Sequence, residues 1–195
     1  NQWFRRWLIK SNVMKKDTFI KFMSVKSLNW DLMCNSLHFI DPFQFFTRNR
    51  KINNSKKSHL IMPHETKRKG FFDVYGDIYI NSSYGSYLEM HSESRKFAEF
   101  KEYCVDIKTT ESSFEILISK DNIALKTYLN DSVRISNFGP YLISNENVKI
   151  YKEILKEEDP LLPTFKESYS QHKLLFELAS NVKEWKKSDL IYPIT

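Results

Sequence analysis

Along the second half of the chain, apolar and polar residues alternate with the two-residue period of a half-buried strand. In residues 71–80, FFDVYGDIYI, the side chains of Phe72, Val74, Ile78 and Ile80 alternate with Asp73, Tyr75, Asp77 and Tyr79. This predicts one strand, or two short ones hinged at Gly76. Residues 103–108 (YCVDIK) and 112–119 (SSFEILIS) read the same way, the latter through Phe114, Ile116 and Ile118. Residues 131–144 predict two short strands around an Asn137-Phe138-Gly139-Pro140 turn. Residues 92–103, with Phe97 and Phe100 three apart, predict a helix. The charged run 87–108 therefore reads as the wet face of a helix leading into a strand.

Elsewhere the spacing is three to four. Trp3, Trp7, Phe19, Ile20 and Phe22 stand among cations and predict one or two amphipathic helices over residues 1–25. Trp30, Met33, Leu37, Phe39 and Ile40 predict a buried helix ending near Asp41-Pro42. Residues 146–158 predict a helix stopped by Asp159-Pro160. The strongest prediction is a helix over residues 164–187. It opens with Thr164-x-x-Glu167, a box in which each side chain satisfies an orphan backbone donor. Phe165, Tyr169, His172, Leu175, Leu178, Val182 and Trp185 would form its single apolar face, the aromatic and aliphatic ones largely buried. The expected fold class is α+β, with no internal repeat. A basic helical portion, residues 1–70, ends in an exposed loop or arm. A small mixed-sheet domain, residues 71–195, is closed by an amphipathic C-terminal helix.

Charge changes this picture most. Residues 1–70 hold 15 Lys/Arg against four Asp/Glu, while residues 71–195 hold 15 against 20, so the net +6 hides a divided molecule. A basic half of this kind points to a polyanionic partner. The cations concentrate at Arg48, Arg50, Lys51, Lys56, Lys57, Lys67, Arg68 and Lys69, with Phe45, Phe46, Asn53 and Asn54 nearby. Clustered cations release counterions from phosphates, and aromatics stack on unpaired bases. The expectation is a non-catalytic nucleic-acid-binding subunit, binding RNA rather than DNA, within a ribonucleoprotein such as a ribosome and beside other proteins of the complex. An anionic membrane surface is a further partner for such a segment. The alternatives are a metal-dependent nuclease and a protein-interaction subunit docking on an acidic partner.

Composition adds bounds. Phe, Tyr, Met, Ile, Asn and Lys supply 84 of 195 residues, which fits an AT-rich genome. No apolar run approaches the ~20 residues of a membrane span. Cys34 and Cys104 are too few to staple a domain of this size, so a reducing intracellular or organellar compartment is expected. A first residue of Asn1 rather than Met marks a fragment or a processed product.

Other chemistry is sparse. Gly70, Gly76, Gly85 and Gly139 are scattered, and no G-x-G-x-x-G or Walker loop exists, so no dinucleotide or P-loop cradle is written in the chain. Cys34-x3-His38 with His59-x4-His64 could be drawn as a zinc set, but the turn glycines and tight cysteine pairs of such sites are missing. Asp106-x-Lys108 on a strand, Asp77 on an earlier one and Glu93 or Glu99 between them resemble the acids and lysine of PD-(D/E)xK nucleases. In those enzymes the acids share a hairpin, so Asp77, Asp106 and Lys108 are not expected to join around a metal. His91 stands alone. No cofactor, metal or catalytic residue is assigned.

Overall fold

The computed structural model describes residues 3–28, 30–48, 52–54, 58–66, 69–94, 102–129, 132–140, 143–180 and 182. The strands are β1 (Ile20–Leu28), β2 (Ile52–Asn54), β3 (His59–Glu65), β4 (Phe72–Ser82), β5 (Tyr87–Glu93), β6 (Glu102–Thr109), β7 (Ser113–Ser119), β8 (Ile123–Leu129) and β9 (Ser132–Asn137). They form one nine-stranded sheet in the order β2-β4-β5-β1-β6-β7-β8-β9, with β3 also paired to β4. Only β1–β5 is parallel among these pairings. The helices are α1 (Trp3–Lys10), α2 (Leu32–Asn35), α3 (Leu37–Phe46), α4 (Ile143–Leu155) and α5 (Phe165–Ala179). The fold is thus mixed, with an N-terminal and a C-terminal helix as expected, but its sheet is large rather than small.

Register explains the core. Ile78, Met90, Val25, Val105, Ile116 and Leu125 lie in one row across six strands, all buried. This face packs with Phe4, Trp7 and Leu8 of α1, Phe39, Ile40 and Phe43 of α3, and Leu174, Leu175 and Leu178 of α5. The opposite row, Tyr79-Glu89-Ser24-Asp106-Glu115-Lys126, is polar. Gly76 lets β4 run unbroken past β3. At its φ of +121° any Cβ would sit 2.2 Å from the His59 carbonyl oxygen, so the expected hinge is a point of close strand approach.

Several elements differ from the sequence reading. Residues 52–54 and 59–65, expected in an exposed loop or arm, are strands β2 and β3, and residues 143–144, expected in a short strand, begin α4. Residues 20–28 are a strand at the middle of the sheet and not part of a basic helix. Met23 and Val25 face the core while Lys26 faces out, and neighbours on both sides decide between two periods that so short a stretch cannot separate. Strands from before and after residue 70 therefore pair with one another. Residues 87–93 are strand β5 rather than turn and helix face, and residues 95–101 lie outside the described ones. Pro42 sits inside α3 instead of ending the helix.

α5 forms with its capping box intact: Thr164 Oγ1 accepts from Glu167 N at 3.2 Å, and Glu167 Oε2 accepts from Thr164 N at 2.7 Å. Its buried face, however, is Gln171, Leu174, Leu175, Leu178 and Ala179. Phe165 and Tyr169 are 87% and 62% exposed, which corrects their expected burial. Val182 is buried, and Trp185 lies outside the described residues.

α1 carries two fully buried arginines. Arg5 Nε donates to the Leu161 carbonyl at 3.0 Å and pairs with Asp41 at 3.3 Å, and its guanidinium lies 4.7 Å over the Phe45 ring. Arg6 donates to Glu153 at 2.8 Å and to the Pro160 carbonyl, and it pairs with Glu146 at 3.5 Å. Together they hold the α4–α5 connector, in which Glu157 and Leu161 adopt left-handed backbone conformations, down on α1.

Candidate active site

The start of α2 breaks a local rule. Asp31 occupies the N-cap position, where an aspartate normally caps its own helix, yet it makes no cap bond. The buried Asp73 carboxylate, reaching in from β4, accepts instead from Met33 N at 2.7 Å and Cys34 N at 3.0 Å. Asp31 is thereby free to face β3, where His64 Nε2 lies 2.9 Å from its Oδ1. The His64 ring stacks on Tyr75 at 4.0 Å with an interplanar angle of 6°. With Nε2–H given to the carboxylate, Nδ1 keeps its lone pair, and that nitrogen is buried with no partner.

A second imidazole, His38, lies further along the helical run, its ring centroid 6.5 Å from that of Trp3. Ser36 is in the αR conformation, so Cys34 and His38 fall on one face, four residues apart. His38 Nδ1 is likewise buried and unpartnered, and burial lowers its pKa to about 4, so the ring is neutral. Tyr103 of β6 packs edge-on to Trp30 and tilted against Phe39. Burial holds its phenol protonated well above the usual range, with Asp31 and Cys34 adding to the effect. Buried polar atoms without partners are uncommon and expensive. The His64 nitrogen, on a ring held by the Asp31 carboxylate, suits acid–base work on a hydroxyl or carbonyl.

Burial also acts on the supporting carboxyls. It pushes Asp73 up to about 6 and Asp41 up to about 7, against the pull of the backbone donors in the first case and of Arg5 in the second. Both carboxyls then hold a proton in the folded state that the unfolded chain, with a value of 3.8, has already released. Their contribution is full below that value and is lost as pH rises to about 6–7. Each pH unit separating the folded from the unfolded value is worth on the order of 1.4 kcal/mol. Glu153 and Asp159, lowered by their cationic partners, act oppositely in more acid solution. Urea midpoints should therefore be higher near pH ~5 than near pH ~7.5, with the difference reduced by Asp73→Asn. A flat profile across that window would count against the protonated state.

The nuclease-like and zinc-like sets weighed in the sequence are spread over separate elements. Asp77 is on β4 and Asp106 on β6, with β5 and β1 between them, about 14 Å at ~4.8 Å per strand. Asp77 instead binds His91 at 2.5 Å, and Lys108 lies 5.6 Å over the Phe22 ring. Glu93 ends β5, and Glu99 is outside the described residues. Of the drawn zinc set, Cys34 is exposed, His59 lies opposite Asp77 and His64 is taken by Asp31. Among the described residues no three His, Cys, Asp or Glu side chains come together to hold a metal. Of the basic segment, Arg48 follows α3 in a left-handed conformation and donates to the Asp17 carbonyl at 2.9 Å, and Lys69 is exposed beside Gly70. Arg50, Lys51, Lys56, Lys57, Lys67 and Arg68 lie outside the described residues. No described helix is long and apolar enough to cross a membrane.

No family model matches the sequence, and no curated protein matches it. Solved structures do match its fold. One, described as an oxidoreductase from Erwinia carotovora atroseptica, has a TM-score of 0.61 at 11% identity, over 93% of this chain and 60% of that one. A 3-ketoreductase from Actinomadura kijaniata, in complex with TDP-benzene and NADP, has a TM-score of 0.60 at 9% identity, over 94% and 60%. A UDP-N-acetylglucosamine 3-dehydrogenase from Acidithiobacillus ferrooxidans has a TM-score of 0.54 at 9% identity, over 91% and 58%. The chain spans about 60% of the length of the structures it matches. These likenesses overturn the expected RNA-binding, ribonucleoprotein subunit. Nearly the whole chain has a fold found in solved oxidoreductase structures.

Proposed function

We propose that this chain is the substrate-side part of an NADP-dependent oxidoreductase that interconverts a hydroxyl and a carbonyl on the sugar of a nucleoside-diphosphate sugar. The observation that carries the reading is the unpartnered, buried Nδ1 of His64, whose Nε2 is held by Asp31, in a fold like that of the ketoreductase and the sugar-nucleotide dehydrogenase. Reducing a carbonyl requires a proton at its oxygen, and oxidising the alcohol requires that proton to leave. His64, oriented by Asp31, is suited to carry it, and the neutral His38 offers a second unpartnered nitrogen.

The dinucleotide itself does not fit these residues. Gly76 is within β4, Gly85 is in the turn before β5, Gly70 precedes β4 and Gly139 follows β9. None stands at a strand-to-helix turn where backbone amides could cradle a pyrophosphate. The nicotinamide cofactor therefore belongs to a unit other than these residues.

The basic segment takes a new meaning in this reading. Along the sequence, β3, which carries His64, is preceded by Arg48, Arg50, Lys51, Lys56 and Lys57 and followed by Lys67, Arg68 and Lys69. In this reading the polyanion these cations take is the diphosphate of a single nucleotide. Calorimetric titration of the chain with UDP and TDP should show binding that weakens steeply with salt. Replacing Lys67, Arg68 and Lys69 together by alanine should cost about tenfold in Kd with the fold intact. Equal affinity in the triple variant would remove the diphosphate from this segment.

A further inference from the structure

α4 is turned inside out. Its buried side carries Glu146, with Ile150 beside it, and Glu146 and Glu153 point at Arg6. Its outward side presents Val148, Tyr151, Ile154 and Leu155, which are 55%, 68%, 50% and 84% exposed. These positions recur at three and four residues and form one stripe along the helix. A surface helix ordinarily buries its apolar stripe and wets its charges. Here the charges fasten the helix to α1, through Arg6 and through Lys10, which pairs with Glu153 at 3.0 Å. The apolar side faces away from the fold, as a contact surface does.

Size selects the occupant. A helix of 13 residues is about 20 Å long and offers a footprint of roughly 200 Å² for a width of ~10 Å. A free partner held by its interface alone needs about 800 Å² on each side. The stripe is too small for a second copy of this chain. It is adequate as part of an inter-domain contact, since a tethered partner is present at an effective millimolar concentration. The neighbouring folds extend well beyond the part this chain matches, and one of them is named with NADP, for which these residues hold no cradle. We infer that the outward stripe of α4 is the docking surface for the dinucleotide-binding unit, which meets it with an apolar patch. This rests on the oxidoreductase reading.

The test is hydrogen exchange over residues 143–155 in the polypeptide as its source makes it, compared with residues 1–195 alone, with NADP binding measured in parallel. The α4 amides should exchange at least about tenfold more slowly in the source polypeptide. Tyr151→Glu with Leu155→Glu should restore fast exchange while NADP still binds. If NADP binds and α4 exchanges equally fast in both forms, the docking surface is elsewhere and the inference fails. Protection that appears in residues 1–195 on raising their concentration would assign the stripe to a second copy, again against the inference. If the source polypeptide binds no NADP, the oxidoreductase reading fails and the inference falls with it.

Discussion

Replacing Arg6 by alanine should destabilise the chain by about 3–5 kcal/mol, a large share of the ~5–15 kcal/mol typical of a domain. Arg6 is 1% exposed and meets Glu153 at 2.8 Å, Glu146 at 3.5 Å and the Pro160 carbonyl. Its loss leaves Glu146 deeply buried with only the exposed Lys149, at 2.5 Å, to balance it. The cost comes mainly from the stranded carboxylate and not from the lost attraction, because a buried pair gains little over a well-packed apolar substitute. Arg6→Leu combined with Glu146→Leu should therefore recover most of the loss. Urea denaturation would show the single variant's midpoint falling with an unchanged slope. A loss below about 1 kcal/mol would show that the clamp on the α4–α5 connector contributes little.

How much of this is readable in the residues differs by element. The strands β4, β6 and β7 are visible because each shows one face to the core, so the two-residue period survives in the sequence. β1 is not, because a central strand takes its conformation from β5 and β6 on either side. The capping box fixes where α5 starts but not which way it turns. Phe165, Tyr169 and Phe176 share helical spacing as well as Leu174, Leu175 and Leu178 do, and only packing against α3 and β2 chooses the second set.

The site is the least legible part. Nothing in the sequence singles out Asp31, and its use by His64 depends on Asp73, 42 positions along the chain, taking over the cap of α2. His64 sits inside a segment whose charge points to phosphate, so the cations mask the imidazole among them. The one sequence signal is His38 following Cys34 at a helical step. Spacing alone suggests a metal pair there, because it shows no partner for either imidazole.

The second large effect concerns chemistry. His64→Ala and His38→Ala should each lower kcat by about 10²–10⁴-fold, the usual worth of a positioned acid–base group. KM for the nucleotide sugar should change far less, since the diphosphate would be held by the cations rather than by the imidazoles. Asp31→Asn should fall between these variants and wild type, as it keeps the ring in place while losing the charge that fixes its tautomer. The decisive measurement is hydride exchange between NADPH and a 3-keto nucleoside-diphosphate sugar, followed by nicotinamide absorbance in the polypeptide as its source makes it. Turnover that collapses in the His64→Ala and His38→Ala variants, with both ligands still bound, is the result expected here. Undiminished turnover in those two variants, or no turnover with any nucleoside-diphosphate sugar that binds beside NADPH, would contradict the account.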